Sequence, residues 1–146
     1  MPLRFLDTNI LLRYFTRDDE VKAQKALALL QRIERGEERV GTSLPVTFET
    51  VFTLQRYYRV PKPQIKELLL PILGMRGLRL PSKNLCIAAL DLFAEHNISF
   101  ADAFNAVYMK ARGTTQVYSW DTDFDSIEGI TRLEPEEYTS VDPPMV

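Results

Sequence analysis

Apolar positions fall into short runs and into longer stretches at helical spacing. Residues 3–6 form a short apolar run that stops at Asp7, which reads as a buried strand. Residues 9–15 read as a helix. Asp18 and Asp19 are placed to cap a second helix, where Val21, Ala23, Ala26, Leu30 and Ile33 give a broad apolar face and Gly36 marks the end. Residues 40–43 form a second strand candidate. Pro45 then suits the start of a helix over 46–58. Pro61 ends that helix and Pro63 opens another over 64–73, in which Pro71 predicts a kink or a shortened end. Residues 78–80 read as a third strand. Ser82 is placed to cap a helix over 83–96, and Ser99 another over 100–112 that is apolar nearly all round and so predicted to be deeply buried. Residues 116–120 carry strong β formers, and a weak last strand falls at 130–133. Short strands alternating with longer helices predict an α/β fold. Its central sheet would be mostly parallel, with four to five short strands and helices on both faces.

Composition narrows the picture. With 146 residues and 45% apolar content the chain suits one domain with a real core. That domain is expected over 1–134, followed by an acidic, proline-containing tail over 135–146. One cysteine, Cys86, excludes an internal disulfide and points to a reducing compartment; with a single histidine, His96, Cys/His zinc sites are excluded too. No apolar run approaches ~18 residues and the N-terminus turns polar too early for a secretory signal, so the expected location is cytoplasmic, with no membrane span.

The net charge of −2 argues against a non-catalytic nucleic-acid coat protein. Its distribution is uneven. Residues 56–83 carry a net +6 and residues 121–142 a net −7, which predicts a polyanion near one face and cations near another, unless both are simply solvated surfaces.

Four acids stand beside or within apolar sequence: Asp7 after Phe5-Leu6, Glu49 inside residues 46–52, Asp102 inside residues 100–104, and Asp121 after Tyr118-Ser119-Trp120. A buried carboxylate costs several kcal/mol unless it is paired, hydrogen-bonded or bound to metal. Each has a plain alternative. Asp7 suits a helix cap, Glu49 a wet helix face, Asp102 a capping box with Ser99, and Asp121 a turn. Together they favour convergence, because Asp7 and Asp121 both end parallel strands and such ends share one sheet edge, where sites form. Clustered carboxylates without histidine suit hard cations, Mg²⁺ or Mn²⁺, and a cation in such a site attracts phosphate. The chemistry indicated is metal-dependent phosphodiester hydrolysis.

The segments around Asp7-Thr8-Asn9, Glu49, Phe100-Ala101-Asp102-Ala103 and Ser119-Trp120-Asp121-Thr122-Asp123 resemble, in order and spacing, those of the PIN-domain ribonucleases. Within that family the chain looks most like the VapC-type toxins of toxin–antitoxin pairs. The resemblance covers about residues 3–133. It implies a PIN-like three-layer sandwich and a Mg²⁺- or Mn²⁺-dependent endoribonuclease. Asp7, Glu49, Asp102 and Asp121 would be the catalytic acids, with Asp7, Asp102 and Asp121 on the metal and Glu49 either on it or orienting a water. Some members use a second acid at the position of Asp123, which makes it an additional candidate ligand. Asn9 and Ser119 match positions that order the site. The resemblance also implies a homodimer and a small antitoxin that covers the acids. Trp120 departs from the pattern, standing where Phe is commoner.

Among the basic residues of 56–83, Arg56 and Arg59 are the candidates for steering an RNA backbone. Other classes fit less well. A haloacid-dehalogenase-type phosphatase needs a second Asp at the position of Asn9, and no Gly-x-Gly-x-x-Gly or P-loop pattern occurs. The alternative from another class is a non-catalytic PIN-like RNA-binding or interaction module.

Overall fold

In a computed structural model, residues 3–136 are described, together with Asp142 and Pro144. Most of the tail expected over 135–146 lies outside these residues. The order of elements alternates as the pattern predicts: β1 (Arg4–Phe5), α1 (Thr8–Thr16), α2 (Glu20–Arg35), β2 (Val40–Gly41), α3 (Leu44–Arg56), α4 (Lys62–Leu73), β3 (Leu78–Arg79), α5 (Lys83–Glu95), α6 (Phe100–Ala111), β4 (Gln116–Tyr118) and β5 (Thr131–Leu133). A 3₁₀ turn spans Thr122–Ser126 between the last two strands. The result is an α/β fold of short parallel strands and six longer helices among the described residues.

Among the described residues all strand pairings are parallel, but they form two ladders rather than the one central sheet expected. β1, β2 and β3 pair in that order, with Arg4 opposite Val40 and Val40 opposite Leu78. β4 and β5 pair separately, with Val117 opposite Arg132. At two or three residues each, the strands carry too few backbone groups for a long shared ladder.

Local sequence explains where elements begin and end. Asp19 accepts the Lys22 amide at 3.0 Å and caps α2; Gly36, at φ 78°, closes it in the left-handed region. Ser99 accepts the Asp102 amide at 3.0 Å and opens α6. Ser82 behaves differently from the cap expected of it. It sits at φ 58° and its side chain makes no cap bond. Pro71 lies within α4, which ends two residues later. Gly77 has a packing reason: a Cβ there would meet the Glu38 carbonyl oxygen at 2.1 Å, because β3 enters directly beneath the end of α2.

The core gathers Leu30 and Ile33 of α2, Val51 and Leu54 of α3, Ile65 and Leu69 of α4, and Leu90 and Phe93 of α5. α1 packs on α2 and α3, α5 packs on α4 and α6, and α3 reaches both α4 and α6. Two sequence expectations are corrected. Only Leu6 of the first apolar run is buried, while Phe5 is 61% exposed, because β1 is an edge strand. α6 is amphipathic rather than buried all round. Phe100, Ala103, Phe104, Ala106 and Met109 face the core, and Ala101, Asn105, Tyr108 and Lys110 do not. Among the described residues no helix is long and apolar enough to cross a membrane.

Candidate metal centre

Asp102 sits in the first turn of α6, three residues past its cap. Asp121 follows β4 and caps the 3₁₀ turn, accepting the Asp123 amide at 2.9 Å. One carboxylate oxygen from each of Asp102, Asp121 and Asp123 lies within 4.8 Å of the others. Such closeness of like charges is unfavourable, and its consequence shows at Asp102. Burial raises its pKa above the ordinary carboxylate value; a hydrogen bond to Asp121 and the charges of Asp121 and Asp123 push it further up, against an opposing hydrogen bond from Ser99.

The other two acids are brought near each other's elements but lie outside this 4.8 Å group. Asp7 occupies the N-cap position of α1 with its carboxylate exposed and unbonded to the helix amides. Its backbone is well fixed: the Leu6 amide donates to Gly41 at 2.8 Å, and the Leu6 carbonyl accepts from the buried Thr42 hydroxyl at 2.9 Å. Glu49 is exposed on α3, and its Oε2 accepts from the buried Thr8 hydroxyl at 3.0 Å. α3 is held against α6 by edge-on aromatic contacts, Phe48 with Phe100 at 5.2 Å and with Phe104 at 5.3 Å. The residues next to Glu49 and Asp102 are thus the ones that join their helices.

Three of the five acids, Asp102, Asp121 and Asp123, are therefore drawn together, and none of the five is buried. Asp7, Glu49 and Asp121 are exposed, and Asp102 and Asp123 are half-buried. The burial inferred from their apolar neighbours in sequence is corrected: on α3 the helix turns Glu49 outward while Val46, Thr50 and Val51 turn in, and beside Asp7 and Asp121 the apolar Phe5, Tyr118 and Trp120 are exposed themselves.

The remaining predicted residues are placed as follows. Ser119 Oγ accepts the Asp121 amide at 2.9 Å, so it acts on the backbone of a cluster acid. Asn9 is exposed in the first turn of α1 and lines a cavity between α1 and α2 together with Arg13, Lys22, Lys25 and Arg32. Arg56 lines two depressions beside the acids, whereas Arg59, at φ 54° in the α3–α4 connection, lines neither.

Three supporting residues escape a reading of the sequence. Thr8 is one. Arg132 of β5 is another: its guanidinium bonds Asp125 at 3.0 Å, the Ser119 carbonyl at 3.0 Å and Glu134 at 2.9 Å, tying β5 to both ends of the segment that carries Asp121 and Asp123. Its sequence signal is that of a lone cation in an acidic stretch. The third, Lys62, donates to the carbonyls of His96 and Ile98 at 2.6 and 2.7 Å and lies 4.4 Å from the Phe93 ring centre. It fixes the connection that leads into Ser99 and α6. Burial lowers its pKa, opposed by the nearby charge of Asp123.

The donor set is all carboxylate oxygen, which fits a hard divalent cation and offers nothing to a soft one. A cation would also relieve the repulsion that raises Asp102.

Comparison with known proteins gives the family of the chain. A VapC ribonuclease of Aquifex aeolicus (strain VF5) is 23% identical over 135 residues, covering 92% of this chain and 98% of the relative. Residues 4–130 match the family described as PIN domain, and the chain belongs to that family.

Proposed function

We propose that the protein is a metal-dependent endoribonuclease that hydrolyses RNA phosphodiester bonds, and that it is the toxin of a type II toxin–antitoxin pair. The observation that carries the reading is the convergence of Asp102, Asp121 and Asp123 within 4.8 Å.

Asp102, Asp121 and Asp123, with Asp7 from the end of β1, are the residues to hold Mg²⁺ or Mn²⁺. A cation bound there supplies Lewis acidity toward a phosphoryl oxygen and lowers the pKa of water. Glu49 accepts the proton of the attacking water and aligns it, and Thr8 fixes the Glu49 carboxylate for that task. Ser119 and Arg132 keep the Asp121–Asp123 segment in place. Water attack in line with the leaving 3′ oxygen gives 5′-phosphate and 3′-hydroxyl ends, with no call on the 2′-hydroxyl. The similarity to a VapC ribonuclease supports the RNA substrate; a small antitoxin partner, a homodimer and a cytoplasmic site of action belong to the same proposal.

The test is cleavage of single-stranded RNA by the purified protein with Mg²⁺ or Mn²⁺, with the ends mapped. Activity is expected to vanish in EDTA and in Asp102→Asn. Cleavage that persists in either overturns the proposal.

A further inference from the structure

Two depressions lie side by side along the outer face of α3 and meet the acidic cluster at one end. The first is apolar, about 170 Å³, lined by Phe48, Val51, Phe52, Phe100 and Ala101. The second is polar, about 250 Å³, lined by Lys62, Asn97, Ile98 and Asp123. Gln55, Arg56 and Ser99 line both, so the two form one continuous cleft. Asp123 on its wall is a member of the cluster, and Ser99 caps the helix that carries Asp102.

The contents of the cleft are specific. Phe52 is 62% exposed, an unusual state for a phenylalanine on a packed helix. The Arg56 guanidinium lies 5.9 Å from the centre of its ring, which leaves a cation and an aromatic face side by side. Among the described residues neither Arg56 nor Lys62 forms an ion pair, and Lys62, whose ammonium donates to the carbonyls of His96 and Ile98, keeps its charge uncompensated beside them. Gln55 and Asn97 add amides that both donate and accept. The apolar part has room for a planar ring, since an apolar cavity of about 150 Å³ accepts benzene.

We infer that this cleft is the subsite for one unpaired nucleotide of RNA flanking the scissile phosphate. The base stacks on Phe52, its edge meets Gln55, and the adjoining phosphate lies between Arg56 and Lys62. The inference rests on the ribonuclease reading and adds substrate form and sequence preference to it. A nucleobase suits the site better than an aliphatic segment of a protein, because ring-sized apolar space is joined to two cations and two amides rather than to more apolar surface. A duplex is excluded from the cleft, since a paired and stacked base has no free face to offer.

The experiment pairs binding with cleavage. Fluorescein-labelled single-stranded RNA and its duplex are titrated by anisotropy in EDTA against the intact protein, Phe52→Ala, Phe52→Tyr, Gln55→Ala and Arg56→Gln. Cut sites are then mapped with Mn²⁺, and circular dichroism checks the fold of each variant. Phe52→Ala and Arg56→Gln are expected to weaken single-strand binding about tenfold each. Phe52→Tyr restores it, Gln55→Ala shifts the preferred cut site, and duplex binding is unchanged by all four. If the unaltered protein cleaves RNA while the folded variants keep affinity within about twofold and the same cut sites, the subsite is overturned and the nuclease stands. If it cleaves nothing but single-strand binding falls in Phe52→Ala and Arg56→Gln, the nuclease reading fails and the subsite stands. If an aromatic peptide displaces the RNA from neither variant nor parent, a protein occupant is excluded; if RNA does not bind at all, the subsite falls.

Discussion

Thr8 and Glu49, 41 positions apart, are joined by a 3.0 Å hydrogen bond from the buried Thr8 hydroxyl to Glu49 Oε2. The contact links the start of α1, directly after Asp7, to the middle of α3. Removing the hydroxyl leaves Glu49 free to rotate into solvent. Thr8→Val is therefore expected to lower RNA cleavage by about tenfold, the loss typical of a group that orients a reacting one, while Thr8→Ser keeps most activity. Initial rates on a common RNA check this; equal rates for Val and parent reject the orienting role.

Asp102 sets a pH dependence. Its pKa in the folded chain is raised, mainly by burial and then by Asp121 and Asp123. A carboxyl raised on folding binds more protons in the native state, so its contribution to stability is complete below its unfolded value and is lost as pH climbs through the raised one. In EDTA, the melting temperature is expected to fall from about pH 4 upward by less in Asp102→Asn than in the parent. At neutral pH, added Mn²⁺ raises the melting temperature of the parent and leaves Asp102→Asn unmoved. Equal Mn²⁺ stabilisation of both proteins counts against Asp102 as a ligand.

Arg132 is the only described side chain that bonds the Ser119 carbonyl and Asp125 together. Arg132→Met is expected to weaken Mn²⁺ binding by about tenfold through misplacement of Asp121 and Asp123. Calorimetric titration measures this. Arg132→Lys restores little, since one ammonium cannot reproduce the fork.

Cys86 is fully buried on α5 and burial pushes its thiol up to about 11. It is expected to resist a thiol reagent at pH ~8 in the native protein and to react rapidly in denaturant. Fast native labelling would show that α5 opens readily.

Gly77 offers a test of the packing. Gly77→Ala forces a methyl against the Glu38 carbonyl and is expected to destabilise the fold by roughly 1–3 kcal/mol, read from urea unfolding.

Much of this was open to inspection in the residues themselves, for local reasons. Asp19 and Ser99 cap helices because short polar side chains ahead of apolar periodicity have little else to do, and Asp7 and Asp121 follow strands because each stands at the cap position of the helical turn that comes next. The segments around the acids carried the family. What stayed hidden depends on distant partners. Nothing local distinguishes Thr8 from any helix-start threonine, or Arg132 from any solvated cation, until the fold brings Glu49 and Ser119 to them. Apolar flanks misled in two ways: at Glu49 they mark core-facing neighbours while the acid looks outward, and at Asp121 the flanking Tyr118 and Trp120 are themselves 73% exposed.

The β4–β5 ladder stands apart from the three-stranded one, and two of the three clustered acids ride on the turn it encloses. Hydrogen exchange in that two-stranded parallel unit can outpace exchange in the remainder, because short exposed pairings open at lower free energy than a packed core. A population in which this unit alone is unzipped keeps its helices, its compactness and its melting transition, yet has no place for an ion. Bulk measures of foldedness and the fraction of competent molecules would then diverge, and anything that seals the final strands raises the second without altering the first.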